Sequence, residues 1–126
     1  MTDRLTRKRE AERRGRASEF FAALALMLKG YRILGRRVRT HMGEIDLVAR
    51  TPGGIVCFVE VKARDAIRDA QESLGLRQQA RIARAAELYL AQWPGLRRGG
   101  VRFDLITVSR RSWPVHVRDA WRGASD

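Results

Sequence analysis

The chain has 126 residues, a formal net charge of +12 and a sequence pI near 11.5. That length suits one domain with a real core, and the single cysteine, Cys57, excludes an internal disulfide. Arginine carries almost all of the positive charge, since the only lysines are Lys8, Lys29 and Lys62. An excess of planar guanidinium forks points to a polyanion, most simply nucleic acid and first of all DNA; a solubility surface or an anionic-membrane binder are the alternatives. The Leu24–Leu28 run is too short for a signal peptide or a membrane span, so the expectation is a cytoplasmic protein without a membrane partner.

In chain order, residues 1–14 are almost all charged or polar and read as a basic flexible arm. A single domain over residues 15–122 and a tail at 123–126 follow. Gly15 to Lys29 has helical spacing, with Phe20, Phe21, Leu24, Met27 and Leu28 expected to pack inward and Gly30 to end the helix. Glu19 near its start fits the helix dipole. Tyr31 to Arg39 reads as a strand whose Arg36, Arg37 and Arg39 either contact phosphate or line a solvated edge. His41 has no second His or Cys at metal-ligand spacing, which argues against zinc.

Gly43–Val48 and Ile55–Arg64 read as paired strands around Thr51-Pro52-Gly53-Gly54. A two-residue turn would send Asp46 and Glu60 to opposite faces. A three-residue loop, Pro52-Gly53-Gly54, pairs Thr51 with Ile55 and therefore Asp46 with Glu60. Proline at the first turn position and glycine at the left-handed third position favour the longer loop. Opposed carboxylates then need a cation, with Mg²⁺ the natural choice for oxygen ligands. Lys62 shares that face and could hold a water or a phosphate oxygen. A plain Glu60–Lys62 ion pair on an exposed face is the rival reading.

Arg64 to Leu74 lacks apolar periodicity and reads as a loop beside the site. Leu76 to Trp93 reads as a helix with Leu76, Ala80, Ala83, Ala86, Leu90 and Trp93 inward, and with Arg77, Arg81 and Arg84 on another face, where they could follow a phosphate backbone or simply be solvated. Pro94–Gly100 is a linker. Val101–Ser109 is a strand parallel to the Glu60 strand, in which Arg102 and Asp104 fit a structural ion pair better than catalysis. Trp113–Val117 is a short edge strand.

Asp46, a gap, then Glu60-x-Lys62 on paired strands resembles the PD-D/E-x-K nuclease superfamily. Gly43-Glu44-Ile45-Asp46-Leu47-Val48 with Phe58-Val59-Glu60-Val61-Lys62-Ala63-Arg64 is similar, more narrowly, to the YraN family, small bacterial proteins resembling Holliday-junction resolvases. The resemblance implies an α/β, restriction-endonuclease-like fold, a mixed central sheet flanked by helices. It implies a Mg²⁺-dependent (or Mn²⁺-dependent) DNA endonuclease, with Asp46, Glu60, the Val61 carbonyl and Glu19 around the ion and Lys62 beside it. Glu19 enters because Gly15-Arg16-Ala17-Ser18-Glu19 matches a family block, with Ser18 where glycine is usual. Arg37 stands where the family often has asparagine, and Gln78 where it commonly has lysine; Arg64, Gln78 and Gln79 remain candidate nucleic-acid contacts. A junction resolvase needs two sites, hence a homodimer, although no dimer surface is legible. Two alternatives stay open: a non-catalytic nucleic-acid-binding module on this scaffold, and an RNA-processing nuclease.

Overall fold

The computed structural model describes residues 2–63 and 74–122, except the side chains of residues 2, 3, 7 and 10–14. The elements run α1 (Thr2–Leu28), β1 (Arg32–Thr40), β2 (Gly43–Arg50), β3 (Val56–Ala63), α2 (Leu76–Gln92), a 3₁₀ helix (Pro94–Gly99), β4 (Val101–Val108) and β5 (Val115–Trp121). The protein is α/β. Its five strands form one mixed sheet in the order β1-β2-β3-β4-β5, with β3 and β4 parallel and every other neighbour antiparallel. Helices on both faces make it restriction-endonuclease-like.

Val56 to Glu60 are all buried because β3 is covered on both sides. On one face Val48, Val56, Phe58, Phe103 and Trp121 meet Ile82, Ala85, Ala86 and Leu90 of α2. On the other, Leu47, Cys57, Val59 and Ile106 meet Ala22, Ala23 and Leu26 of α1.

Both helices bury a different stripe from the one their bulkiest residues suggest. In α1, Ser18, Glu19, Ala22, Ala23, Ala25 and Leu26 are buried, whereas Phe20, Phe21, Met27 and Leu28 are about half exposed or more. The sheet already fills that layer with Leu47, Val59 and Ile106, so small helix residues let the backbones approach. In α2, Leu76 and Trp93 lie outside, and Ile82, Ala85, Ala86 and Leu90 face in. α1 also begins at Thr2, not Gly15: the stretch read as an arm is made of strong helix formers, and Gly15 costs only about 1 kcal/mol within a helix. β5 runs on through Trp121, which stacks on Phe103 at 4.2 Å between ring centroids. The expected Arg64–Leu74 loop lies outside the described residues up to position 73. Among the described residues, no helix is long and apolar enough to cross a membrane.

Two turns set the register. Gly30 takes φ +88, and the bonds from Gly30 N–H to the Met27 carbonyl and from Tyr31 N–H to the Leu26 carbonyl close α1 in a Schellman motif. In the β2–β3 hairpin, Thr51 N–H donates to the Ile55 carbonyl at 2.9 Å and Gly54 N–H to the Thr51 carbonyl at 3.0 Å, with Gly54 at φ +97. This is the three-residue loop expected from Pro52-Gly53-Gly54. Arg50 pairs with Val56 and Leu47 with Val59, a register that carries Asp46 opposite Glu60.

Candidate metal centre

The β2–β3 ladder ends at Leu47–Val59. Bonded pairs recur every second residue from Thr51–Ile55, so the next would join Ile45 and Val61. At that position Val61 N–H donates to Asp46 Oδ2 at 2.8 Å. The Asp46 carboxylate thus sits in the gap where the strands part, beside Glu60. A strand residue presents its N–H and C=O to the same side, so the Val61 carbonyl faces this gap too.

Glu60 is 7% exposed. It receives Gln78 Nε2 at 2.8 Å and lies 3.5 Å from Lys62 Nζ. The Glu60–Lys62 ion pair of the rival reading is present, but on a face covered by α2 and not on an exposed one. Burial, and then the Asp46 charge, push Glu60 up to about 8; burial pushes Asp46 up to about 6 against the Val61 N–H bond. The Asp46 charge thus adds to burial at Glu60, while at Asp46 the added charge comes from Glu19.

Carboxylate oxygens of Glu19, Glu44 and Asp46 lie within 4.8 Å of one another. Glu19 arrives from α1, buried by the small-residue stripe that brings the helix down on the sheet. One of its oxygens accepts Arg37 Nε at 2.6 Å. Arg37 holds φ 50, a left-handed conformation uncommon outside glycine. Glu44 was not among the residues singled out from the sequence, although its place two residues before Asp46, on the same strand face, was the available signal. An all-oxygen donor set that runs from buried Glu19 through half-buried Asp46 to exposed Glu44 fits a hard divalent cation.

A cleft of about 140 Å³ opens beside Glu44 and Glu60, lined by Gln78, Arg81 and Ile82. The other expected phosphate contacts scatter. Arg36, Arg77 and Arg84 are exposed, and Arg39 is exposed with a loose 3.6 Å pair to Glu44. Arg37 is engaged by Glu19, Gln78 by Glu60, and Gln79 by the Leu74 carbonyl at 3.0 Å ahead of α2. Arg64 lies outside the described residues.

Arg102 and Asp104 form the expected ion pair, bidentate at 2.8 Å, with Asp104 fully buried. Asp104 also takes His116 Nε2 at 2.7 Å and Asp119 N–H at 3.0 Å, within the bulge where β4–β5 pairing shifts. Burial would raise this carboxyl, but the His116, Arg102 and Asp119 bonds hold it down at about 2.

Residues 18–108 match the model of "Uncharacterised protein family UPF0102". The chain is 49% identical to a UPF0102 protein of Mesorhizobium japonicum, over 92% of both chains. It is 48% identical to one from a Chelativorans species, over 94% of both, and 46% identical to one from Agrobacterium fabrum, over 91% of this chain and 93% of that protein. The matched segment spans the site from Glu19 to Gln78 and most of the sheet; the chain belongs to the uncharacterised protein family UPF0102.

Proposed function

We propose that the protein is a divalent-metal-dependent endonuclease that hydrolyses phosphodiester bonds in DNA in the cytoplasm, with Mg²⁺ as resident ion and Mn²⁺ as a substitute. The observation that carries this reading is the Asp46 carboxylate bonded to Val61 N–H in the strand gap beside Glu60, with Glu19 and Glu44 oxygens within 4.8 Å of it and of each other, and Lys62 3.5 Å from Glu60. Asp46, Glu60 and Glu19 would hold the ion, with the Val61 carbonyl and Glu44 within reach. Glu19 keeps one oxygen on Arg37 and has the other for the ion.

Such an ion, when bound, makes water a stronger nucleophile and offsets charge on the scissile phosphate. Lys62, with its side chain 19% exposed, has its ammonium at the mouth of the gap, where it can orient the attacking water or steady negative charge on the phosphoryl oxygens. Arg81 in the neighbouring cleft and the exposed Arg77 and Arg84 offset flanking phosphates. Branched or junction DNA as the preferred substrate, and a homodimer to cut it, rest on the resemblance.

One observation favours a second reading, a nucleic-acid-binding module without catalysis: Gln78 and Arg37 already satisfy Glu60 and Glu19 without an ion. A cleavage panel separates the two. Junction, fork, duplex, single-stranded DNA and RNA substrates are incubated with and without Mg²⁺. Cutting that requires the ion, vanishes in Asp46→Asn and drops on the order of 10²-fold in Lys62→Ala supports the nuclease. Retained binding with no cutting on any substrate supports the module.

A further inference from the structure

A second cleft, of about 360 Å³, lies on the α1 side of the sheet among Lys29, Tyr31, Thr51, Ile55, Arg102 and Arg118, with Pro52 at its rim. Glu19 and Leu28, the last residue of α1, are nine positions apart, roughly 13–14 Å at 1.5 Å per residue, and Lys29 follows, so this cleft is separate from the carboxylates. Among the described residues, its lining contains three cations and two hydroxyls and no acidic side chain.

The hydrogen bonds leave those groups as donors. Arg102 places Nε and Nη2 on Asp104, and Nη2 also donates to the Tyr31 hydroxyl at 2.9 Å; Nη1 has no partner among the described residues. Tyr31, having accepted from Arg102, has its own O–H proton to give. Thr51 Oγ1 accepts Ile55 N–H at 3.0 Å and likewise keeps its proton. Lys29 Nζ lies 3.0 Å from His116 Nδ1. An ammonium only donates, so Nδ1 accepts, and the Nε2 proton goes to Asp104. His116 thereby bridges Lys29 and Asp104, and Lys29 keeps two further N–H groups. Arg118 is exposed, with no ion pair among the described residues. Asp104, which neutralises Arg102, is fully buried and does not line the cleft, so Lys29 and Arg118 leave it with an uncompensated positive charge.

We propose that this cleft is a phosphate-binding site, distinct from the carboxylate centre, that takes a phosphate ester through Lys29, Arg118, the free edge of Arg102 and the Tyr31 hydroxyl. A tetrahedral group with several acceptor oxygens matches several fixed donors better than a halide or a single carboxylate. Pro52 and Ile55 supply an apolar wall for the organic part of the ester. The phosphate comes either from a small free ester or from a nucleic-acid strand, and the shared chemistry is the phosphoryl group. The proposal does not depend on the nuclease reading.

The test is a titration of the full chain with inorganic phosphate, in a chelator and at ionic strength held constant with chloride. It is followed by ¹H–¹⁵N NMR that includes the His116 ring nitrogens. The expected result is saturable shifts centred on Lys29, Tyr31, His116 and Arg118, with apparent affinity at least tenfold weaker in Arg118→Gln. A 5′-mononucleotide that competes while a short single-stranded oligonucleotide does not identifies a free ester as the source; an oligonucleotide that displaces phosphate identifies the strand. Either supports the site. No saturable shift, shifts that chloride alone reproduces, or full-strength shifts in both Arg118→Gln and Lys29→Gln overturn it. Asp46→Asn, run in parallel, should keep the phosphate response intact, which separates failure here from failure of the metal centre.

Discussion

At the scale of single residues, Asp46 and Glu60 carry a stability cost that depends on pH. Both are raised by burial, to about 6 and about 8. Between pH ~4 and pH ~8 the folded chain therefore holds protons that an unfolded chain, with ordinary carboxylates, has released. Stability without a divalent ion should fall as pH rises through that window, by about 1.4 kcal/mol per pH unit for each such proton. Thermal melts from pH 5 to pH 8 in a chelator test this, and Mg²⁺ should restore the loss at the alkaline end. Glu60→Gln should flatten the profile and abolish the Mg²⁺ response together. Asp104 works with the opposite sign. Its carboxyl is held at about 2, so its contribution is present above pH ~4 and disappears as pH falls toward 2. Asp104→Asn leaves Arg102 without its buried counter-charge and should cost on the order of 3–5 kcal/mol in urea unfolding, with no direct effect on the carboxylate gap.

At the scale of elements, the β2–β3 hairpin decides the site. Deleting Gly53 shortens the loop to two residues and slips the register by one, which sends Asp46 and Glu60 to opposite faces. The shortened chain should lose divalent-ion stabilisation even where its circular dichroism stays native-like; an unchanged Mg²⁺ response would contradict the registered pair as the ion's seat. The loop is also tightly packed from outside. A Cβ at Gly99 would lie 1.9 Å from the Gly54 carbonyl oxygen, so Gly99→Ala should destabilise by more than the few tenths of a kcal/mol typical of a surface change. The register was readable because turn chemistry is local: proline and a left-handed glycine choose the loop, and the loop chooses the pairs. The helix faces were not. α1 carries two candidate stripes, Phe20-Leu24-Met27-Leu28 and Ser18-Ala22-Ala23-Leu26, and periodicity favours the bulkier. Only the depth of sheet side chains beneath the helix selects the smaller.

At the scale of the whole molecule, the +12 charge is spread over arginines on several elements. Nucleic-acid binding should therefore weaken steeply with salt, with a log-log slope of about −0.9 per phosphate neutralised on duplex DNA. Measuring that slope for the native chain and for Arg77→Gln/Arg81→Gln should show it shallower by one or two phosphates; an unchanged slope would place the α2 arginines outside the contact surface. The carboxylates come from α1 and from the β2–β3 hairpin, which only the folded sheet brings together.

The amino-acid order alone determined the mixed α/β architecture, the parallel β3–β4 pair, the Arg102–Asp104 pair and the opposition of Asp46 to Glu60. Each follows from local periodicity, turn stereochemistry or spacing along one strand. Tertiary structure alone decided that Glu44 joins Glu19 and Asp46, that Arg37 and Gln78 are occupied by carboxylates, and that Lys29, Arg102 and Arg118 line one cleft. Apart from Glu44 and Asp46, those residues are far apart in the sequence, and their neighbours are set by how closely α1 and α2 approach the sheet, a distance that depends on the packed volume of every side chain between them.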